Sequence, residues 1–488
     1  MDDKEYKLTY KGKAAPIDVL RASAEPLAVL KSLREEASWR NLLLSCENLH
    51  GLSSLIEMKR AGELKCGDGA NGARLIYIDP PFSTRLEFKA KKKQKAYDDK
   101  LCGAEFIESL RQRLILLKEL LTEDGSIYVH LDWKKAHYIK VIMDEVFGEE
   151  NFLNDIIWSY GGRGAKHISG QFSRNHDIIL WYKKGTAHIF NQLTIGKRVP
   201  KKASGFKQDD EGRWFKTSPK GDYTDESMAA LRKQGRVYTT RNGKLRVKYF
   251  LKDEGEHLIE DKLIGDVWND IPDAMHLSES EKTGYPTQKP EALLERVIRA
   301  SSNPGDIVLD CFAGAGTTLS AAEKLGRRWV GIDSGSLATH TTEKRLLTIT
   351  ASKSLDEPKK KYGKACRPFD ILGPLEHDED NCGCGEHGKA PSVKCRYDID
   401  EESAECVVRI ERFSSPGSGS KGMEALSSVA VDLCFDGEAM KIDLFATKEE
   451  LEKNGYELRF PVEAVKGEVL LAFADIFGNE KWFVGELA

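Results

Sequence analysis

The chain has 488 residues, of which 40% are hydrophobic and 31% charged, with a formal net charge of −4, so it can form about two to four globular domains. It contains no run near the ~18 consecutive apolar residues that a membrane-spanning helix needs, and residues 1–5 are too charged for a secretory signal. Its ten cysteines are scattered and do not indicate a disulfide framework. We therefore expect a cytoplasmic protein without a membrane partner.

Charge is distributed unevenly along the chain. Residues 161–250 contain 20 Lys/Arg against 7 Asp/Glu, whereas residues 401–488 contain 9 Lys/Arg against 18 Asp/Glu. A basic block in a mildly acidic chain is the electrostatic footprint expected for binding a polyanion, although a solvated lysine-rich surface would have the same counts. The acidic block argues against contact with such a polyanion.

A buried strand is predicted at residues 73–78, directly before the tetrapeptide Asp79-Pro80-Pro81-Phe82. Two consecutive prolines cannot continue a strand ladder or enter a helix, so the strand ends there. An acid, a rigid turn and an aromatic ring are then presented together at the carboxyl edge of a strand, where open α/β sheets bind ligands. Asp79 and the turn carbonyls could accept from an amino group while Phe82 stacks on a planar ring, as adenine or cytosine requires. A plain strand-ending turn is the alternative.

Around this motif, apolar runs alternate with helical patterns. The predicted elements are a lead-in over 1–40, strand 41–44, a helix from 49, strand 75–78, helix 104–121 ended by 123–125, strand 126–131, helix 134–147, and strands 156–158 and 178–182. This alternation predicts a mostly parallel sheet with helices on both faces. From residue 183 to about 260, basic residues, glycines and aromatics interleave with little period, which indicates an inserted module suited to phosphates.

A second motif begins with the predicted strand 307–310 and continues into the turn Cys311–Thr318. Its glycines let the backbone approach a ligand closely, and Asp333, at the end of the next strand, can accept from ribose hydroxyls. The turn lacks the third glycine of a dinucleotide motif, and no phosphate-binding loop is present. Because Asp310 suits a cation, S-adenosylmethionine, with its ribose, ammonium and sulfonium, fits better than NAD. Tight helix–strand packing is the alternative explanation of the glycines.

Three stretches together resemble the amino-methylating DNA methyltransferases: Ile78–Phe82, Tyr285–Pro290 and Asp310–Thr318. Their order, with the catalytic motif first, the basic insertion next and the cofactor motif last, is that of the β group. Two further stretches, Glu149–Phe152 and Arg328–Asp333, are similar to the modification subunits of type III restriction systems. The resemblance covers roughly residues 40–350.

The resemblance implies an α/β fold, the Rossmann-like fold of S-adenosylmethionine-dependent methyltransferases. The charge and strand patterns of this sequence add an inserted basic target-recognition region and a small β-rich C-terminal domain. It implies that the target amine is bound by Asp79 and the Pro80 carbonyl, within the catalytic motif Asp79, Pro80, Pro81 and Phe82. The cofactor-binding residues that it implies are Thr287, Lys289, Asp310, Phe312, Gly314, Gly316, Thr317 and Asp333. Two departures concern loop contacts: Ser83-Thr84-Arg85 after the first motif, and Cys46-Glu47 in place of the commoner Gly-Asp.

The implied function is transfer of a methyl group from S-adenosylmethionine to adenine N6 in double-stranded DNA by base flipping, in a restriction-modification or related system. The aspartate that heads the motif favours adenine. Methylation of cytosine N4 and a non-catalytic DNA-binding specificity subunit are the alternatives. The partners expected with this function are double-stranded DNA, a restriction endonuclease subunit and a second copy of the chain. The expected location is the prokaryotic cytoplasm, where the protein associates with the nucleoid by binding DNA.

The predicted domains are the lead-in 1–40, the catalytic half 41–182, the target-recognition insertion 183–260, the cofactor-binding half 261–355, a linker with a Cys/His cluster 356–400, and an acidic β-rich domain 401–488. The cluster, Cys382, Cys384, His387 and Cys395, could hold zinc, but its spacing is not a standard one. Free thiols in a loop are the alternative that we favour, so no metal is expected.

Overall fold

The computed structural model describes residues 6–22, 26–33, 37–81, 87–89, 95–98, 103–160, 172–173, 175–202, 205–374, 390–416 and 422–485. The chain divides into two compact units, one formed by Met1–Asn191 and Asp266–Ala488 and the other by Gln192–Gly265. Among the described residues, no helix has the length and apolar character that crossing a membrane requires.

The first unit begins with an alternation of strands and helices. Up to residue 191 its elements are α1 (Pro16–Leu20), β1 (Leu27–Leu33), β2 (Asn41–Ser45), α2 (Asn48–Arg60), β3 (Ala73–Ile78), β4 (Glu87–Lys89), β5 (Lys95–Asp98), α3 (Gly103–Leu120), β6 (Leu121–Leu131), α4 (Ala136–Phe147), β7 (Phe152–Ser159) and β8 (His176–Lys183). Every residue of β3 is buried, which explains why five of its six residues are apolar.

The second unit consists of short strands and one helix. Its elements are β9 (Thr194–Pro200), β10 (Lys207–Gln208), β11 (Trp214–Pro219), α5 (Asp225–Lys233), β12 (Val237–Thr239), β13 (Leu245–Phe250), β14 (Lys252–Glu254) and β15 (His257–Leu263). They form two antiparallel sheets, ordered β10-β11-β13-β12 and β14-β15-β9. Most of their side chains are partly or fully exposed, so the strands carry little apolar alternation, and the sequence pattern did not resolve them.

The first unit resumes with the elements that follow the second unit in the chain. They are β16 (Val267–Trp268), α6 (Glu291–Ser301), β17 (Ile307–Asp310), α7 (Thr317–Lys324), β18 (Arg328–Asp333), α8 (Ser336–Leu347), β19 (Phe369–Pro374), β20 (Ser392–Asp400), β21 (Glu405–Ser414), β22 (Leu426–Phe435), β23 (Met440–Ile442), β24 (Leu444–Thr447), α9 (Lys448–Lys453), β25 (Glu457–Pro461), β26 (Glu468–Asp475) and β27 (Glu480–Gly485).

One sheet of eleven strands dominates the first unit, in the order β16-β7-β8-β6-β3-β17-β18-β2-β19-β1-β23. The six strands from β6 to β19 run parallel, whereas β8 is antiparallel to both of its neighbours. The predicted α/β fold with a large, mostly parallel sheet is therefore confirmed. Residues 401–488 lie in this unit, and β23 pairs with β1 in the large sheet.

One local prediction was wrong. Residues 123–125 are predicted to end α3, but the helix ends at Leu120 and β6 begins at the next residue. The glycine does not break this strand, because the Gly125 carbonyl accepts a hydrogen bond from the Lys184 backbone at 3.0 Å. The local turn preference is thus outweighed by pairing with a neighbouring segment.

The order of the central strands determines where a ligand can bind. The chain moves outward in one direction from β3 to β6 and in the opposite direction from β17 to β18, so the order reverses between β3 and β17. In open α/β sheets, ligands bind at such a reversal, beyond the carboxyl ends of the strands.

Candidate active site

Both sequence motifs lie at this edge of the sheet. β3 and β17 are adjacent and parallel, with Ile76 opposite Leu309, and β18 follows with Gly331 opposite Asp310. Asp79 comes one residue after β3, whereas Asp310 and Asp333 are the last residues of β17 and β18. Three carboxylates are therefore brought to the ends of three neighbouring strands.

A cavity of about 360 Å³ opens at this edge. Its lining includes all the predicted site residues except Gly316, which lies behind it, and Phe82, which lies outside the described residues: Asp79, Pro80, Pro81, Thr287, Lys289, Asp310, Phe312, Gly314, Thr317 and Asp333. A volume of this size is within the range of small-molecule sites. The two motifs, more than 200 residues apart in the chain, thus form walls of one pocket.

Asp310 lies at the bottom of the glycine turn and is 3% exposed. Its carboxylate accepts from the Phe312 backbone at 2.9 Å and from the Thr318 hydroxyl at 2.6 Å. Burial raises the pKa of Asp310 to about 7; the two hydrogen bonds oppose that rise, and the nearby charges of Asp79 and Asp333 add to it. An incoming cation would offset this mutual repulsion of carboxylates.

Asp333 closes the turn from the next strand. One of its oxygens accepts from the Gly314 backbone at 2.8 Å and the other accepts from the Gly335 backbone at 2.9 Å. Burial raises the pKa of Asp333, and these backbone hydrogen bonds oppose the rise. The side chain both shapes the turn and presents its remaining lone pairs to the cavity.

Gly314 and Gly316 have positive φ angles of 50° and 67°, which L side chains rarely adopt. Helix α8 packs directly behind them: a Cβ on Gly316 would lie 2.7 Å from the Thr342 hydroxyl oxygen. Gly316 is therefore required by the close approach of a helix rather than by contact with the cavity. The Thr342 hydroxyl in turn donates to the Gly314 carbonyl at 3.1 Å.

Lys289 contacts the Asp79 carboxylate through its Nζ atom, although the two residues are 210 positions apart. Their side chains are 12% and 18% exposed. The resemblance assigned Lys289 to the cofactor side of the site, but the structure also places it on the carboxylate of the first motif. A cation in this position fixes the orientation of the carboxylate through a charge-assisted hydrogen bond.

A buried chain of polar side chains runs away from the cavity wall. The Tyr77 hydroxyl lies 2.7 Å from His130 Nδ1, and His130 Nε2 lies 3.3 Å from the Asp177 carboxylate. Burial alone would raise the pKa of Asp177, but His130 and the charge of Lys289 lower it below its ordinary value. Burial also raises the pKa of Tyr77. Asp177 therefore stays ionised and the Tyr77 phenol stays protonated.

The cavity residues that were not predicted as site residues include three connected polar side chains: Glu47, Asn48 and Arg113. Arg113 contacts both Glu47 and Asn48, and the Asn48 amide donates to the Cys311 carbonyl at 3.1 Å. In the sequence, Glu47 stands out only as a departure from the family pattern. Its place two residues after the buried strand β2 was the available clue, because that strand ends at the same edge.

The proposed zinc array cannot be followed in the structure. Cys382, Cys384 and His387 lie outside the described residues, whereas Cys395 is partly buried in β20. Burial raises the pKa of the Cys395 thiol.

The chemistry of the cavity fits S-adenosylmethionine. Four carboxylates line the cavity: Glu47, Asp79, Asp310 and Asp333. Such a set suits a ligand that carries cationic groups and hydroxyl donors, and the glycine turn leaves room for close approach of the ligand to the backbone. A mostly parallel α/β sheet with acids at the ends of adjacent strands and a glycine turn between them forms a nucleoside site, and its carboxylates suit the cationic cofactor of the S-adenosylmethionine-dependent methyltransferase class.

Comparison with known proteins narrows this class. Residues 73–344 match the N6/N4 methyltransferase family, described as DNA methylase, and the chain belongs to that family. It is 36% identical over 299 residues to the type II methyltransferase M.EcaI of Enterobacter cloacae, covering 56% of this chain and 64% of that protein. It is 26% identical over 381 residues to the probable type III restriction-modification enzyme HindVI Mod subunit of Haemophilus influenzae. That match covers 60% of this chain and 48% of that protein.

A third relative is the DNA adenine methyltransferase YhdJ of Escherichia coli, with 28% identity over 289 residues, covering 59% of this chain and 78% of that protein. The chain spans less than two thirds of the length of the first two relatives. The family resemblance seen in the motifs is confirmed by these matches.

Proposed function

We propose that this protein is a DNA methyltransferase that transfers a methyl group from S-adenosylmethionine to N6 of adenine in double-stranded DNA. The observation that carries the proposal is the single cavity formed by Asp79, the glycine turn and the acids Asp310 and Asp333. A target-amine acceptor and a cofactor site must be neighbours for direct transfer, because the two reacting atoms have to meet in line.

The proposed roles follow from the chemistry of each group. S-adenosylmethionine, when bound, supplies an electrophilic methyl group on a sulfonium. A base inside a duplex cannot reach it and has to be flipped into the pocket. Acceptors at Asp79 and the Pro80 carbonyl orient the exocyclic amine so that its lone pair faces the methyl group, while Lys289 holds the Asp79 carboxylate in place. Asp310 binds a cationic group of the cofactor and Asp333 binds the ribose hydroxyls.

The preference for adenine over cytosine rests on two observations. Asp79 heads the first motif, and one relative is named as an adenine methyltransferase. The type III Mod relative supports a restriction endonuclease subunit as a partner. A second copy of the chain remains a predicted partner as well.

Methyl transfer with tritiated S-adenosylmethionine and mixed-sequence DNA tests this function directly. Digestion of the product to nucleosides is expected to recover the label as N6-methyl-2′-deoxyadenosine. Recovery as N4-methyl-2′-deoxycytidine would refute the adenine assignment. A protein that binds the cofactor and DNA but transfers no label to any sequence would instead support a specificity subunit without catalytic activity.

The second unit presents the DNA-binding surface in this proposal. The strand register places Phe215 opposite Phe250 on one face of the β10-β11-β13-β12 sheet. On that sheet, Lys207 Nζ lies 4.1 Å from the centre of the Tyr238 ring, and Lys248 Nζ lies 4.8 Å from that of Phe215. The lysines of this face suit phosphates, and the exposed ring of Phe250 can stack on an unstacked base, whereas Phe215 is buried beneath them.

Replacing Lys207 and Lys248 together with alanine is expected to weaken DNA binding at all sequences and to reduce the slope of log Kd against log salt by about 2, since each phosphate contact contributes about one. Fluorescence anisotropy at several salt concentrations measures both quantities. Lys453→Ala, an exposed lysine in the acidic region, is the control and should leave the slope unchanged. An unchanged slope in the double variant would exclude this face of the sheet as the DNA-binding surface.

The raised pKa of Asp310 predicts a pH-dependent affinity for the cofactor. With a pKa of about 7, the carboxyl is largely protonated at pH 6 and ionised at pH 8. Because the ionised form attracts the sulfonium, S-adenosylmethionine should bind about tenfold more tightly at pH 8 than at pH 6, whereas neutral S-adenosylhomocysteine should change little. Calorimetry with both ligands measures this difference. In Asp310→Asn the pH dependence should disappear; its persistence would assign it to another group.

A further inference from the structure

A buried ion cluster lies behind the cavity, at the first residue of α6. The Glu291 carboxylate accepts from Lys324 at 2.6 Å, from Arg345 at 2.8 Å and from the Ser320 hydroxyl at 2.7 Å. Glu291, Lys324 and Arg345 have side chains only 7%, 1% and 9% exposed. Burying one anion with two cations has a large desolvation cost, so the cluster is more than a surface contact.

Arg345 connects this cluster to the glycine turn. Its second terminal nitrogen, Nη1, donates to the Ala315 carbonyl at 3.1 Å and to the Thr317 hydroxyl at 3.0 Å. Thr342, one helical turn earlier on α8, donates to the Gly314 carbonyl. Two side chains from one face of α8 therefore hold three positions of the turn, 314, 315 and 317.

The other end of the cluster is connected to the segment that carries Lys289. Glu291 follows Lys289 by two residues, and its backbone donates to the Glu281 carboxylate at 2.8 Å. Between them, the Gln288 amide donates to the Glu281 carbonyl at 2.8 Å and accepts from the Thr283 backbone at 2.9 Å. These contacts close residues 281–291 into one loop, so a shift of Glu291 would move Lys289 as well.

We propose that Arg345 and Thr342 are positioning residues for the cofactor, and that Arg345 through Glu291 sets the distance between the glycine turn and the Lys289 segment. The proposal rests on the proposed function only in taking the cavity as the cofactor site. Neither side chain needs to touch the cofactor. Each side chain projects from α8 and holds a carbonyl of the glycine turn. The distance between the two walls of the cavity is thereby kept fixed.

The substitution Arg345→Lys tests the proposal. It keeps the buried positive charge, but one ammonium group cannot reach Glu291, Ala315 and Thr317 in the forked geometry of a guanidinium. We expect the Kd for S-adenosylmethionine, measured by calorimetry without DNA, to rise about tenfold or more. Thr342→Val, which removes a hydroxyl at nearly constant volume, should raise the Kd about threefold or more.

Arg367→Lys is the control: this arginine also binds a buried glutamate, although its own side chain is 38% exposed. Arg367 donates to Glu323 of α7 at 2.9 Å and 3.0 Å, and it contacts the Arg327 carbonyl. It does not line the cavity. If burial of an ion pair were all that mattered, both arginine variants would lower the thermal unfolding temperature and neither would change cofactor affinity. We expect the Kd of Arg367→Lys to stay within about twofold of wild type.

Circular dichroism melting establishes that each variant is folded before binding is measured. The proposal is overturned if Arg345→Lys and Thr342→Val both bind cofactor as wild type does, or if Arg367→Lys weakens binding equally. Because calorimetry is performed without DNA, its result is independent of the methylated base. Failure of the adenine assignment would appear only in the nucleoside digest.

Discussion

Replacing Asp79 with alanine is expected to lower the rate of methyl transfer by about a thousandfold or more while DNA affinity stays within about twofold of wild type. The substitution removes the acceptor that orients the target amine, and it leaves the Lys289 ammonium without its contact to the carboxylate in the cavity. Single-turnover kinetics with saturating cofactor and DNA measures the chemical step separately from binding.

Two further variants, Asp79→Asn and Asp132→Ala, serve as comparisons in this experiment. Asparagine keeps one acceptor oxygen, so its rate should fall less than that of alanine. Asp132 also follows a parallel strand at the same edge, but it accepts from the backbones of Lys134 at 3.0 Å and Lys135 at 2.9 Å and does not line the cavity. Asp132→Ala should therefore lower stability and leave the rate nearly unchanged. Parallel loss of DNA binding and turnover in Asp79→Ala would mean that Asp79 supports the fold rather than the chemistry.

The second large effect is expected for Gly316→Ala. A methyl group at this position would meet the Thr342 side chain at 2.7–3.0 Å on a backbone with a φ of 67°, so the turn must shift away from α8. Since Asp333 and Thr342 both hold the adjacent Gly314, that shift would deform the cofactor wall. We expect the Kd for S-adenosylmethionine to rise about a hundredfold, because small misplacements of positioning groups have effects of that order.

Two controls separate the clash from backbone strain. Gly437 has a φ of 87°, and no heavy atom lies within 4 Å of the position where its Cβ would be, so Gly437→Ala tests strain alone. It should cost about 1 kcal/mol of stability and leave cofactor binding unchanged. Gly316→Ala combined with Thr342→Ala relieves the clash and should recover part of the affinity. If Gly316→Ala bound cofactor normally, the close packing of α8 against the turn would not be needed for the site.

The sequence predicted the parts of this site that depend on local patterns. The strands ending at Asp79, Asp310 and Asp333 were recognisable as apolar runs, since parallel strands covered on both faces carry few polar residues. The prolines and glycines that follow two of them identified the turns, and the spacing of acids and glycines indicated the ligand. Phe82, which the sequence also assigned to the site, lies outside the described residues.

The antiparallel sheets of the second unit show where local patterns were insufficient. Their strands are short and largely exposed, and the buried Phe215 packs against the rings of Tyr238 and Phe250 and lies under Lys248 of the neighbouring strand. Aliphatic stems and aromatic faces of polar residues can supply such packing, so the hydrophobic period is lost although the strands form.

By itself, the sequence determined the class of this protein, because the residue types needed for its chemistry sit next to one another in two short motifs. Only the tertiary structure decided that β3 lies beside β17, that Lys289 reaches Asp79, and that Arg345 holds the glycine turn. Each of these contacts joins residues far apart in the chain, or on separate elements, and depends on which strands and helices become neighbours. The order of strands in a sheet is set by the packing of the whole core, which no local pattern encodes.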